Sequence, residues 1–177
     1  MIKFDLRQFK KKLEQKDKSE LIQELSMLCQ KFPQVKEYYQ AQESGGVELL
    51  TKYKRIIQKE FVEGTSKGFP KLQFSVARKA INDFRKLSKS PELLADLKLT
   101  YVESVSEFNN NFGPDTERFY LIPEEMFNEV LRELKANDLL EKFEARAHSL
   151  VENATEGWGH FDTLCDYYEE YYGEFIR

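Results

Sequence analysis

Cysteine is scarce in this chain, and long apolar runs are scarcer. Only Cys29 and Cys165 occur among 177 residues, which excludes a disulfide framework. No run approaches the ~18–20 apolar residues that a membrane span needs. The start, "MIKFDLRQFKKKLEQKDK", lacks the continuous apolar stretch of a signal peptide. The expected location is the cytoplasm, and no membrane is expected among the partners. Alternating strand patterns are nearly missing too, which turns the fold away from β structure. Signatures of chemistry are equally thin. There is no G-x-S-x-G elbow, "GTSKG" does not fit the phosphate loop G-x-x-x-x-G-K-[ST], and the G-x-G of "GWGH" has neither a preceding strand nor a third glycine. Histidine is limited to His148 and His160, and no cofactor is implied.

What is present is apolar and aromatic. Apolar residues are 41% and aromatics 14%, with 14 Phe and 9 Tyr, so the chain has the material for a core and is not globally disordered. The length suits one domain, 1–177, that buries roughly two thirds of its unfolded surface. The net charge of −4 conceals a split. Residues 1–90 hold 20 Lys and Arg against 11 Asp and Glu, a net of +9, and residues 91–177 hold 7 against 20, a net of −13. A basic half 1–90 and an acidic half 91–177 could steer a polyanion to the first, or favour self-association through opposite charges.

Helical stripes recur along the chain. Asp5 to Gln8 and Asp17 to Glu20 have capping-box spacing. Ile22, Leu25, Cys29 and Phe32 share a face of the second helix, Pro33 restarts the chain, and Ser44-Gly45-Gly46 breaks it. Leu50, Tyr53, Ile57 and Phe61 define the next stripe, ended by "GTSKGFP", and Ala77, Ala80, Ile81, Phe84 and Leu87 the one after. Ser90 and Pro91 predict an N-cap with proline at the first helical position. That helix carries Leu94, Leu97, Tyr101, Val105 and Phe108 and stops at Gly113-Pro114. Pro123 with Glu124 and Glu125 predicts another start, the acids facing the positive end of the helix dipole. Its stripe is Phe127, Val130, Leu131 and Leu134. Asn137, Asp138 and Glu141 mark a junction, Leu140, Phe143, Ala147 and Leu150 point inward, and Gly157-Trp158-Gly159 leads into the final helix. The expectation is an all-α single domain of about nine helices joined by short connections and packed as antiparallel hairpins. The Phe-Pro pairs at Phe32-Pro33 and Phe69-Pro70 lie 37 residues apart, with no third copy, so the array is irregular and helical-repeat-like.

The segments "KFPQVKEYY", "PKLQFSVARKAINDFRKLSKSPELLADL" and "GWGHFDTLCDYYEEYY" resemble a family of bacterial proteins catalogued only as a domain of unknown function. The similarity runs from about Ser19 to Tyr172. It implies a bacterial, all-helical protein, and it carries no catalytic residue over to this chain.

Three constellations could carry function. In "KLQFSVARKAINDFRKLSK", Lys71, Ser75, Arg78, Asn82, Arg85 and Lys89 are spaced by 4, 3, 4, 3 and 4 residues. On a helix they form a strip about 80° wide, opposite Ala77, Ala80, Phe84 and Leu87. Lys79 and Lys86 widen this face, and the preceding helix adds Lys52, Arg55 and Lys59, with Lys54 nearby. Such faces could track phosphates of a nucleic acid or meet an acidic protein surface, although Glu48, Glu60, Glu63, Asp83 and a pI of about 5.4 count against nucleic acid. The second constellation is metal-directed: His148, His160, Asp162 and Asp166 could converge, yet no defined ligand spacing supports them. His148 is expected among Glu144 and Glu152 on a solvated face, His160 as a locally bonded helix-start residue, and both cysteines as core. The third is the edge Tyr167–Tyr171 beside Asp166 and Glu170, suited to protein contact. Together these favour a non-enzymatic cytoplasmic protein-interaction module. The alternatives are a nucleic-acid-binding protein using residues 52–89 and a metal-dependent enzyme near His148 and His160.

Overall fold

A computed structural model of the chain describes residues 4–43, 45–64 and 68–177. Ser44 and residues 65–67, where two of the expected loop breaks fall, lie outside these. Nine α-helices and no strand occur among the described residues: α1 (Leu6–Glu14), α2 (Lys18–Lys31), α3 (Pro33–Glu43), α4 (Val47–Phe61), α5 (Phe74–Leu87), α6 (Pro91–Phe112), α7 (Arg118–Ala136), α8 (Leu140–Glu152) and α9 (His160–Tyr172). The local signals set most of these bounds. Asp17 and Glu20 form a reciprocal capping box on α2. Ser90 Oγ accepts from Leu93 N, and Pro91 opens α6. Gly113 closes α6 at φ 51°, a conformation glycine adopts without steric cost.

Pairwise contacts fix the directions of the helices. Tyr53 meets Phe84 and Phe61 meets Phe74, so α4 and α5 are antiparallel. Lys98 reaches Glu129 and Glu133 while Asn109 reaches Phe119, so α6 and α7 are antiparallel. Tyr172 meets Leu140 and Tyr168 meets His148, which makes α8 and α9 antiparallel as well. Phe61 with Tyr101 and Lys54 with Asp96 set α4 parallel to α6. His160 with Glu124 and Lys135 with Tyr171 set α7 parallel to α9. Three hairpins therefore stack into two layers, α4, α6 and α8 in one and α5, α7 and α9 in the other. One core cluster lies among α4, α5 and α6, and a second among α6 to α9. The α6–α7 hairpin is common to both, and α6 is buried almost all round, including the polar Lys98, Thr100, Ser104, Ser106 and Asn109.

Two expectations are corrected and one junction is as expected. Helix α7 begins at Arg118, one turn before the expected start, and contains Pro123. Proline has no N–H for the Phe119 carbonyl four residues back. Asn109 Nδ2 donates to that carbonyl at 2.8 Å instead, and so makes the longer helix tenable. The α7–α8 junction falls at Asn137 and Asp138 as expected: Asn137 Nδ2 donates to the Glu133 carbonyl at 2.8 Å in the last turn of α7, and Asp138 adopts φ 55°. The face of α2 that carries Ile22, Leu25, Cys29 and Phe32 is not core. No residue of α1 or α2 is buried, and Phe4, Leu6, Ile22, Leu25, Met27 and Phe32 are exposed.

Candidate interaction groove and buried polar pairs

Helices α5 and α7 run side by side and parallel, with Phe74 against Phe119 (ring centroids 5.1 Å apart) at one end and Arg85 beside Glu129 (3.5 Å) further along. Between them lies an open cleft of about 320 Å³. Its α5 wall is Arg78, Asn82 and Arg85, its α7 wall Glu125 and Glu129, and Lys98 lies on its floor. A second cleft of about 380 Å³ continues from Arg85 past Lys89 to Glu133 and Asn137. The groove thus has one basic edge and one acidic edge. From Glu125 to Glu133 the acidic edge is about 12 Å long, the span of three or four residues of extended chain.

The floor explains why the walls hold their places. Lys98 is 0% exposed, and its ammonium donates to Glu129 and Glu133 at 2.6 Å each. An unpaired buried ammonium would be costly; two carboxylates at hydrogen-bond distance make it tenable. Burial pushes the Glu129 carboxyl up, but the hydrogen bond and charge of Lys98, with the charge of Arg85, outweigh it and hold Glu129 below its ordinary value. Beneath the α5 wall, Tyr101 is fully buried. Burial pushes this phenol up to about 12 against the opposing charge and hydrogen bond of Arg78 and the charge of Arg118.

The expected basic strip is divided by the fold. Arg78, Asn82 and Arg85 stay together on the exposed side of α5, while Lys71 precedes that helix and Lys89 follows it. Lys52 is bound to Glu37 and Lys54 to Asp96 (2.6 Å), whereas Lys79 and Lys86 share Asp83. Arg55 and Lys59 are exposed on α4 and do not line the groove. The result is a short basic edge facing carboxylates rather than a continuous cationic face.

The metal-directed residues are not brought together. His160 opens α9, but it is 0% exposed, and its Nδ1–H donates to Glu124 Oε1 at 2.7 Å, a partner 36 residues away rather than a local one. Glu124 is accordingly buried rather than placed at the dipole of a helix start. The ring of His160 packs edge-on to Tyr120, on which the exposed Trp158 stacks, and its Nε2 has no partner. His148 is half-buried, not solvated: Nε2–H donates to the Ile176 carbonyl at 2.9 Å, and the ring stacks on Phe175. Asp162 and Asp166 are exposed on α9. No group of three or more His, Cys, Asp or Glu side chains suited to a metal occurs among the described residues. Burial first, and then Glu169, Asp166 and Asp162, push the Cys165 thiol up, which disfavours the thiolate. Tyr167 and Tyr171 form a half-buried edge, Tyr171 lying under Lys135 at 5.4 Å.

Sequence spacing missed Lys98, Asn109, Arg118 and the pairing of Glu124. Lys98 left a trace as a lysine between two leucines on a helix that is apolar all round. The other three are bound by tertiary neighbours that no spacing reveals.

The architecture is that of an all-α protein of stacked helical hairpins, with a charged groove opened between two helices of one layer. The chain belongs to a family of unknown function (DUF6155), whose model matches residues 1–169. No curated protein and no solved structure matches it.

Proposed function

We propose that this protein is a non-enzymatic interaction module of the cytoplasm that holds an extended segment of a protein partner in the α5–α7 groove. The observation that carries this is the pairing of opposite edges: Arg78, Asn82, Arg85 and Lys89 on one side, Glu125, Glu129 and Glu133 on the other. A peptide has donors and acceptors along both sides and suits such a groove. Nucleic acid presents a polyanionic phosphate backbone, and three carboxylates on the facing edge repel it. Asn82 supplies both an amide donor and an acceptor to the main chain of a guest. A second copy, entering through its acidic half, is one such guest. No described helix is long and apolar enough to cross a membrane, and both cysteines are free, consistent with a reducing compartment and no membrane partner.

The test is a photoreactive phenylalanine analogue in place of Asn82, irradiated in living cells. Discrete protein adducts are expected, and Arg78→Glu with Arg85→Glu should remove them. An adduct near twice the 21.0 kDa chain mass identifies self-association. Salt-sensitive binding of labelled DNA or RNA to the purified protein, abolished by the same reversals, would transfer the groove to nucleic acid.

A further inference from the structure

The negative ends of two helices meet in the other layer of the stack. Arg146 reaches Asp96 and Glu103, and Asn110 reaches Asn153, so α6 and α8 run parallel and end side by side. Between their last turns lies an open cleft of about 470 Å³, which shares no lining residue with the α5–α7 groove. A helix C-terminus carries roughly half a negative charge on its orphan carbonyls, which a Lys or Arg in the last turn favourably meets. Neither α6 nor α8 has a basic residue in its last turn. Glu107 stands exposed at the cleft and belongs to no ion pair among the described residues.

The donors that hold the cleft together are engaged within the protein. Arg146 is bound by Asp96 and Glu103, with the Thr100 hydroxyl as a further acceptor, so its charge is neutralised inside the fold. Asn110 Nδ2 donates to the Asn153 carbonyl at 2.7 Å, and Asn153 Nδ2 to the Ser149 carbonyl at 2.7 Å. These bonds fix both amides and leave their Oδ1 atoms as acceptors. Ser106 lines the same cleft, 6% exposed, and its hydroxyl has no hydrogen-bond partner. Buried hydroxyls ordinarily have one. Carboxylate, amide and hydroxyl oxygens thus surround a space to which the described residues bring no free cation.

We infer that the α6–α8 cleft is a binding site for the primary ammonium group of an aliphatic amine. An ammonium carries three donors and no acceptor. That matches the Glu107 carboxylate, the amide oxygens of Asn110 and Asn153 and the Ser106 oxygen, and bonds to an ionised partner are the strong ones. Leu150, 5% exposed, lines the cleft and suits the hydrocarbon part of the amine. A neutral polyol would leave the paired helix ends and Glu107 without a counter-charge. A bare metal ion lacks its ligands, since no group of three or more His, Cys, Asp or Glu suited to one occurs among the described residues. The site does not depend on what the α5–α7 groove binds.

The experiment is isothermal titration of the full chain with butylammonium against tetramethylammonium at matched ionic strength. The second ion has the same charge and no N–H. Butylammonium should bind more tightly, and Glu107→Gln and Ser106→Ala should each weaken it by about tenfold or more. The Ser106 hydroxyl has no partner within the protein, so Ser106→Ala should leave the urea midpoint unchanged, which separates a ligand contact from a structural role. Putrescine and Nα-acetyl-lysine amide then distinguish a free amine from a lysine side chain by which binds more tightly. Butylammonium binding no tighter than that of tetramethylammonium would overturn the proposal, as would unchanged affinity in both variants.

Discussion

At the scale of single residues, stability depends on polar groups satisfied far along the chain. Asn109 is 1% exposed, and its amide compensates a carbonyl that Pro123 leaves without a donor. Asn109→Ala should therefore destabilise the protein by about 1–3 kcal/mol in urea unfolding. Adding Pro123→Ala should recover part of that loss, because alanine restores an N–H for the Phe119 carbonyl; strictly additive losses would contradict the assignment. Glu124 and His160 form a second buried polar contact, and Glu124→Ala should cost about 1–3 kcal/mol by leaving an imidazole buried without its partner. Tyr53, Tyr101 and Tyr172 are all pushed up to about 12, chiefly by burial. In the unfolded chain they ionise near pH 10. Their raised folded values leave stability intact below pH ~10 and remove it as pH climbs toward 12. Ultraviolet titration at pH ~11 should show these phenols mostly protonated in the folded protein and about nine-tenths ionised in denaturant.

At the scale of elements, α6 is the axis to which its neighbours are tied by charge. Asp96 on α6 receives Lys54 from α4 and Arg146 from α8, and Arg146 also binds Glu103 and the Thr100 hydroxyl. Burial raises the Asp96 carboxyl, yet the hydrogen bonds and charges of Lys54 and Arg146 outweigh it and leave the group below its ordinary value. A depressed carboxylate stabilises above its unfolded pKa of about 4, and that contribution is lost as pH falls through the lower folded value. The urea midpoint should fall below pH ~4, and less steeply in Asp96→Asn. Helix α1 has no buried residue, and removing residues 1–16 should leave the unfolding free energy within about 0.5 kcal/mol of the intact chain. The stripes of α4 to α9 were legible because every apolar face there has a neighbour to cover it. The face of α2 was read as core for the same pattern and lies open, since periodicity marks an apolar face without showing what covers it. The charged strip was legible as residues but not as an edge. Its meaning depends on Glu125 and Glu129, which parallel packing of α5 and α7 brings opposite.

At the scale of the whole molecule, the contrast between basic and acidic halves is partly consumed inside the fold. Lys54 to Asp96 and Arg85 to Glu129 join the two halves within one chain. What remains toward solvent is organised by the two-layer stacking, which leaves α5 and α7 parallel and open to each other. The central claim is that this opening receives a protein segment. Cross-linking in living cells from a photoreactive group at position 82 tests it most directly. The account predicts discrete adducts that disappear when Arg78 and Arg85 are reversed to glutamate. Adducts that persist unchanged after both reversals, or none at all from a folded and expressed protein, would contradict it.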